Sequence, residues 1–195
     1  MTAVLTGLGL AAAAGWNAWA VLILFNGLVR LLPQDFPGPV APFLASGPIL
    51  QLALVLFLVE FVVNKIPLVD RFWELAQTIL RPIVGALLAL ASVPESTPWV
   101  RALVALGAAA VTFATHLSKS ATRLTSTAAT RGSTQFALSL AEDVIALVLG
   151  TLVFFQPWFA VMFLAGLFCA LFAYADRVKQ ALAVLFFRIQ HPRQG

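Results

Sequence analysis

Long apolar runs, separated by proline, glycine or polar breaks, dominate the pattern of this chain. They predict helices at about residues 3–30, 48–65, 68–93, 99–118, 136–155 and 158–176. A helix needs about 20 mostly apolar residues to cross the hydrocarbon core of a bilayer. The pattern therefore predicts an all-α fold, a polytopic membrane helix bundle with about six transmembrane helices.

Ionisable residues interrupt this apolar pattern in two stretches, 60–81 and 116–143. They are Glu60, Lys65, Asp70, Arg71, Glu74 and Arg81 in the first stretch, and His116, Lys119, Arg123, Arg131, Glu142 and Asp143 in the second. A charge at the bilayer centre costs roughly 2.5–3.5 kcal/mol on insertion scales, and such groups usually pair with each other or line a polar pathway. These residues are therefore the candidates for function.

A polar stripe lies on one face of the third predicted helix, where the spacings are four, three and four residues. Its members are Asp70, Glu74, Gln77 and Arg81. From Pro82 to Val93 the chain provides only about 18 Å of helix, which is less than the roughly 30 Å hydrocarbon core. Either the stripe enters the membrane as part of the helix, or the third helix is broken or re-entrant at Pro82.

Two further stripes follow on the fourth and fifth predicted helices. The fourth carries Thr112, His116, Lys119, Arg123 and Thr127 as a basic stripe that prolongs the helix, and the fifth carries Ser139, Glu142 and Asp143 within one turn. Adjacent buried carboxylates need cationic partners to stay ionised. We expect the acidic helices to meet the basic fourth helix in a nearly neutral cluster in the cytoplasmic half of the bundle.

Composition strengthens the membrane prediction and excludes several other classes of protein. The chain has 195 residues, of which 61% are hydrophobic and only 10% charged, and its mean hydropathy is +0.96. A water-soluble protein of this size cannot bury so much apolar surface. The single cysteine, Cys169, supports neither a disulfide framework nor a thiolate metal site.

Lysine and arginine residues predict the orientation. With six spans, one side carries Lys65, Arg71, Arg81, Lys119, Arg123, Arg131, Arg177, Lys179, Arg188 and Arg193, and the other carries Arg30 and Arg101. Cytoplasmic loops of membrane proteins carry an excess of these residues. This bias of ten against two predicts a multi-pass protein with both termini in the cytoplasm.

The chain reads as one transmembrane helical domain, residues 1–176, followed by a tail. Residues 177–195 form a basic amphipathic segment that we expect to lie on anionic lipid at the cytoplasmic face. A faint internal echo pairs LGLAAA at residues 8–13 with LGAAAV at 106–111, and LVEFV at 58–62 with LAEDV at 140–144. It suggests a 3+3 inverted repeat, although apolar runs also match by chance.

The polar motifs resemble a known family. The strings EFVVNKIPLVDRFWELAQTILRPIVGA and HLSKSATR, followed by SLAED, look like the signature of the bacterial integral-membrane domain-of-unknown-function family 4126 (DUF4126). The matching positions are Glu60, Lys65, Ile66, Pro67, Asp70, Thr78, Arg81, Pro82, Gly85, His116, Lys119, Arg123, Ser139, Glu142 and Asp143. The resemblance covers about residues 5–175 and implies a bacterial membrane protein. Asn64 and Ser120 depart from it, since the family pattern has Asp and Ala there.

The leading hypothesis for function is an integral inner-membrane transporter or channel-like protein for a small polar or charged solute. Its site would be the intramembrane ionic cluster of Glu60, Lys65, Asp70, Glu74, Arg81, His116, Lys119, Arg123, Ser139, Glu142 and Asp143. The alternative is a structural or lipid-binding membrane protein whose cluster braces the helices. No motif specifies an enzyme, a metal or a cofactor, and nothing indicates nucleic acid. A homo-oligomer is compatible with either hypothesis.

Overall fold

A computed structural model describes residues 1–63, 67–130 and 135–173, and the side chains within 1–63, 72–123 and 136–169. This part of the chain is all-helical. The helices are α1 Thr2–Trp16, α2 Ala18–Leu31, α3 Ala41–Leu44, α4 Gly47–Val63, α5 Pro67–Ser92, α6 Pro98–Thr130, α7 Gln135–Phe155 and α8 Trp158–Ala173, with a short 3-10 turn at Pro33–Asp35. The predicted tail, residues 177–195, lies outside the described residues.

The first predicted helix is two helices. The prediction of one helix over residues 3–30 is wrong, because α1 and α2 are separated at Asn17, whose backbone is extended at φ −148° and ψ 105°. The Asn17 side-chain oxygen accepts from the backbone N–H groups of Trp19 and Ala20, at 3.1 and 3.0 Å. This is the N-cap arrangement that satisfies the first free donors of a helix. Asn17 therefore ends α1 and begins α2.

Helices α1 and α2 turn back on one another as a hairpin. Gly150 of α7 faces both of them, since a Cβ there would lie 2.9 Å from Leu24 Cδ2 and 3.9 Å from both Ala13 Cβ and Leu10 Cδ2. In a straight helix, Leu24 would lie about 16 Å further along the axis than Ala13. After α2 the chain returns to the level of its start, because the N–H of Gly38 donates to the Ala91 carbonyl and Gly7 packs on Ala89.

The hairpin lies in the centre of the bundle. Helix α1 packs against α5, α6, α7 and α8, while α2 packs mainly against α4 and α7. Small residues permit this approach: Ala11 to Ala14 are fully buried, and a Cβ at Gly7 would lie 2.9 Å from the backbone of Ala89. Asn17, at the tip of the hairpin, is thereby placed among the helices that carry the polar stripes.

Pro82 does not break the third predicted helix. Helix α5 is continuous over Pro67–Ser92 with Pro82 inside it, so the expectation of a broken or re-entrant third helix is wrong and the polar stripe belongs to one helix. Neighbouring helices and Ser or Thr side chains allow proline inside such helices in membranes. The interruption of the fold lies instead at Asn17.

Within the part of the chain that the structure describes, three helices are long and apolar enough to cross a membrane: Phe72–Ser92, Pro98–Arg123 and Phe136–Phe155. Four shorter apolar helices accompany them, at Thr2–Trp16, Ala18–Leu31, Gly47–Val63 and Trp158–Cys169. Many large apolar side chains on these helices are exposed, among them Leu58, Leu106 and Phe168. These features suggest a membrane protein. The six predicted spans are not confirmed, and the inverted repeat stays a prediction.

Candidate functional site

The hairpin tip exposes two backbone carbonyls to cationic side chains. In an unbroken helix, the carbonyls of Gly15 and Trp16 would accept from the N–H groups of Trp19 and Ala20. Those donors bind Asn17 instead. Arg81 donates to the Gly15 carbonyl at 3.0 Å, and Lys119 donates to the Trp16 carbonyl at 2.9 Å. Cations at the C-terminal end of a helix are also favoured by its dipole.

Arg81 of α5 joins three helices to the hairpin. Its guanidinium pairs with Glu60 of α4 at 2.7 Å, and its Nη1 lies 2.9 Å from Nδ1 of His116 on α6. The other ring nitrogen of His116 lies 3.2 Å from the Thr78 hydroxyl. Arg81 is fully buried, and Glu60 and His116 are each only 2% exposed. The planar guanidinium can hold several acceptors at once, which explains why an arginine stands here.

Lys119 of α6 occupies a cluster of oxygens beside Arg81. Its Nζ lies 3.0 Å from Glu142 Oε2, 2.9 Å from the Trp16 carbonyl and 4.0 Å from Glu74 Oε1. The side chain is 1% exposed, whereas that of Glu74 is 21% exposed. Lys119 is therefore a buried ammonium held by one carboxylate and one carbonyl, with a second carboxylate on its more exposed side.

Arg123 and Asp143 extend the cluster to either side. Arg123 Nη1 lies 3.1 Å from Glu74 Oε1, and its Nε lies 3.6 Å from Glu142 Oε1. Asp143 accepts from the Asn17 amide at 2.7 Å. The capping residue of the hairpin is thus bound to the same turn of α7 that supplies Glu142.

Gln77 fills the space between the hairpin and Arg81. Its amide lies 3.4 Å from both Glu60 Oε2 and Arg81 Nε. In the rotated orientation, its oxygen accepts from the indole N–H groups of Trp19 at 2.8 Å and Trp73 at 3.1 Å. Because amide orientation is assigned from the surrounding hydrogen bonds, the two indole donors favour the rotated orientation, in which Gln77 binds the hairpin through Trp19.

The charges in the cluster are unequal among the side chains that the structure describes. Four carboxyl groups, on Glu60, Glu74, Glu142 and Asp143, face three basic side chains, on Arg81, Lys119 and Arg123. His116 is charged only if protonated. Within this set, carboxyl groups outnumber the lysine and arginine side chains by one.

Most of the predicted site residues meet in this cluster. The structure brings together Glu60, Glu74, Arg81, His116, Lys119, Arg123, Glu142 and Asp143. Ser139 is buried one turn before Glu142 on α7. Lys65 lies outside the described residues, as does the side chain of Asp70. The described side chains contain no group of three His, Cys, Asp or Glu residues that could hold a metal ion.

The hairpin tip is the part of the site that the sequence did not reveal. Gly15, Trp16 and Asn17 lie in an apolar run rich in alanine and glycine. The available signal was Asn17 itself, a polar capping residue between Trp16 and Trp19 in the middle of that run.

An apolar groove of about 290 Å³ lies between α7 and α8. Its lining is Val144, Ile145, Val148, Leu149, Leu152 and Phe163. All of these are hydrocarbon side chains, so the groove offers no polar contact to a charged solute.

Comparison with known families agrees with the resemblance of the polar motifs. The family model described as Domain of unknown function (DUF4126) matches residues 4–177. The chain belongs to this family. No curated protein and no solved structure matches it. The match to DUF4126 includes the hairpin and every described member of the ionic cluster.

Proposed function

We propose that this DUF4126 protein is an integral membrane transporter that moves a small charged solute through the ionic cluster at the hairpin tip. The observation that carries the proposal is the interruption at Asn17, with two backbone carbonyls bound by Arg81 and Lys119. Interrupted helices whose ends face charged groups form the solute and ion sites of many secondary transporters.

The geometry is compatible with a re-entrant hairpin. From Thr2 to Trp16, α1 is about 22 Å long, which reaches well into a core of about 30 Å but does not cross it. Non-helical backbone at this depth is tolerated where protein surrounds it or where it lines a polar cavity. Asn17 is 1% exposed, so the interruption is enclosed by protein.

This arrangement changes the proposed topology. With the hairpin entering and leaving on one side, five helices, α4 to α8, would cross the membrane. The start of α1 then lies outside, on the same side as Arg30 and Arg101. The end of α8 lies inside, on the side that carries most of the lysine and arginine residues. The proposed location is the bacterial inner membrane. The sequence predicts that both ends of the helical domain lie in the cytoplasm, whereas in this topology only the end of α8 does.

A purely structural cluster is the second candidate function, and the close pairing of the charges favours it. Glu60, Glu142 and Glu74 each have a cation within 3.1 Å. However, replacing a buried ion pair by well-packed apolar residues is often neutral or stabilising. Bracing alone therefore explains neither the number of charges nor the interrupted helix. In the transport proposal, the paired arrangement is the closed state of the site.

Flux measurements in proteoliposomes test the proposal. Wild-type protein should accelerate the movement of at least one of protons, Na⁺, K⁺, ammonium or chloride down an imposed gradient, relative to empty liposomes. Glu142→Gln removes the carboxylate charge at the hairpin tip and should lower this flux at least tenfold. Glu95→Gln, which changes an exposed carboxylate in the α5–α6 turn, is the matched control and should keep it.

Two results would overturn the transport proposal. One is a wild-type flux equal to that of empty liposomes for all of these ions. The other is an unchanged flux for Glu142→Gln in liposomes that contain the same amount of folded protein.

A further inference from the structure

The Lys119 ammonium lies among oxygens that come from the backbone and from two carboxylates. The Trp16 carbonyl and Glu142 Oε2 lie 2.9 and 3.0 Å from its Nζ, close to the 2.7–2.9 Å typical of charge-assisted N–H···O bonds. Divalent Ca²⁺ prefers six to eight oxygens at shorter distances. The spacing and number of oxygens around Nζ therefore match an ammonium group.

The Trp16 carbonyl is available only because the helix is interrupted. Its helical donor, the Ala20 N–H, binds the Asn17 side chain at 3.0 Å. A freed carbonyl at the end of a half-helix is the group that binds cations in interrupted membrane helices. Here the protein's own side chain occupies that position.

Lys119 is better suited than Arg81 to leave its place. Arg81 is bound by Glu60, Gly15 and His116, each at 3.0 Å or less. Among the side chains and backbone that the structure describes, the Lys119 ammonium has two acceptors within 3.0 Å for its three donors, and a third oxygen, on Glu74, lies at 4.0 Å. Lysine is also a compact charge on a flexible stem.

We propose that the Trp16 carbonyl, Glu142 and Glu74 form a site for a monovalent cation of the ammonium type, in which Lys119 is a tethered competitor. This inference rests on the proposed function and names its substrate class. When a free cation binds between Trp16 and Glu142, the Lys119 ammonium shifts toward the more exposed Glu74. One positive charge replaces another, so the buried charge at Glu142 stays compensated throughout the exchange.

Removal of the tethered competitor tests the proposal by direct binding. Purified full-length Lys119→Ala protein in detergent is titrated with ammonium, methylammonium or sodium chloride, with N-methyl-D-glucamine chloride keeping the ionic strength constant. Intrinsic tryptophan fluorescence and the melting temperature report binding. We expect saturable binding of ammonium or methylammonium to Lys119→Ala, with half-saturation at least tenfold below that of the wild type.

Two controls assign the binding to this site. Lys119→Ala combined with Glu142→Gln should lose it, because the main carboxylate ligand is gone. Lys119→Ala combined with Glu95→Gln should keep it. If Lys119→Ala does not fold, Lys119→Gln takes its place, since it removes the ammonium and retains most of the side-chain volume.

The outcomes separate this inference from the proposed function. Absence of ammonium-type binding in the Lys119 variants, a strong preference for sodium, or binding that survives Glu142→Gln would overturn the inference. If wild-type liposomes show flux while the Lys119 variants bind no cation, the inference fails and transport stands. If the variants bind ammonium while the wild type shows no flux, the transport proposal fails and the site stands.

Discussion

Arg81 and Lys119 are each held by a backbone carbonyl as well as by a carboxylate. Arg81 binds the Gly15 carbonyl and Glu60, and Lys119 binds the Trp16 carbonyl and Glu142. Each buried cation therefore has one acceptor, a neutral backbone carbonyl, whose dipole does not change with pH. At the scale of single residues, this explains how the protein accommodates fully buried cations despite their desolvation.

Replacement of Glu60 by Gln tests how strongly the Arg81 ion pair stabilises the fold. Removing one charge of a buried pair leaves the other without compensation, at a cost of roughly 3 kcal/mol. Glu60→Gln should lower the free energy of unfolding in detergent by about this amount, while Glu95→Gln should stay within about 0.5 kcal/mol of the wild type. Equal stability of the two variants would contradict the role given to the pair.

At the scale of elements, the interruption between α1 and α2 is the feature that organises the bundle. The Asn17 side chain caps α2 with its oxygen and binds Asp143 of α7 with its nitrogen. One residue thus separates the two helices, frees the carbonyls for Arg81 and Lys119, and attaches the tip to α7. An alanine in its place could serve none of these purposes.

A comparison of Asn17→Ala with Asn17→Ser isolates the cap. Serine keeps an oxygen that accepts from the N–H groups of Trp19 and Ala20, whereas alanine does not. Loss of a cap of this kind costs about 1 kcal/mol, so we expect Asn17→Ala to unfold more easily than Asn17→Ser by that amount. Hydrogen exchange at the Trp19 and Ala20 amides should be faster in the alanine variant.

The opposite order of stability would contradict the capping role. Alanine favours a continuous helix more than serine does. Greater stability of Asn17→Ala would therefore show that the chain runs straight through this position.

Much of the fold follows from the sequence, and the exceptions have physical causes. The apolar runs predict α7 and α8 closely, and the basic stripe correctly predicts that α6 extends beyond residue 118, to Thr130. Pro82 led to the wrong expectation of a break in the third helix, because proline normally destabilises the interior of a helix. Helix α5 continues through it. The interruption at Asn17 was not predicted, because a single polar residue in an apolar run does not indicate a reversal of the chain. That reversal depends on contacts with α5, α6 and α7, which local pattern does not contain.

The ionisable members of the cluster are visible in the sequence, whereas the hairpin tip beside them is not. Helical spacing places Glu74, Gln77 and Arg81 on one face, and opposite charges predict contact of α5 and α7 with α6. The structure pairs Glu74 with Lys119 and Arg123 with Glu142. The carbonyls of Gly15 and Trp16 carry no signal in the residue types. They became part of the site only through the geometry of the hairpin tip.

At the scale of the whole molecule, the proposed re-entrant hairpin predicts on which side of the membrane Thr2 lies. Residues Thr2, Asp35 and Glu95 are exposed in the structure, and all three lie at the end of the bundle opposite the ionic cluster. A re-entrant hairpin places the three on the same side, outside. A single first span would place Thr2 on the opposite side from the other two.

Labelling of single cysteines distinguishes these topologies. Cys169→Ser first removes the exposed native thiol, and a cysteine is then introduced at position 2, 35 or 95. A thiol reagent that does not cross membranes should label all three from outside in right-side-out vesicles. Protection of position 2 in vesicles where positions 35 and 95 react would contradict the re-entrant arrangement.

The measurement that tests the central claim most directly combines flux and folding for Glu142→Gln in one preparation. Ion flux into proteoliposomes is divided by the amount of folded protein, and the free energy of unfolding is determined on the same sample. The account predicts that flux per folded molecule falls at least tenfold, beyond any loss of folded protein. Unchanged flux per folded molecule, together with a lower free energy of unfolding, would show that the cluster only braces the helices.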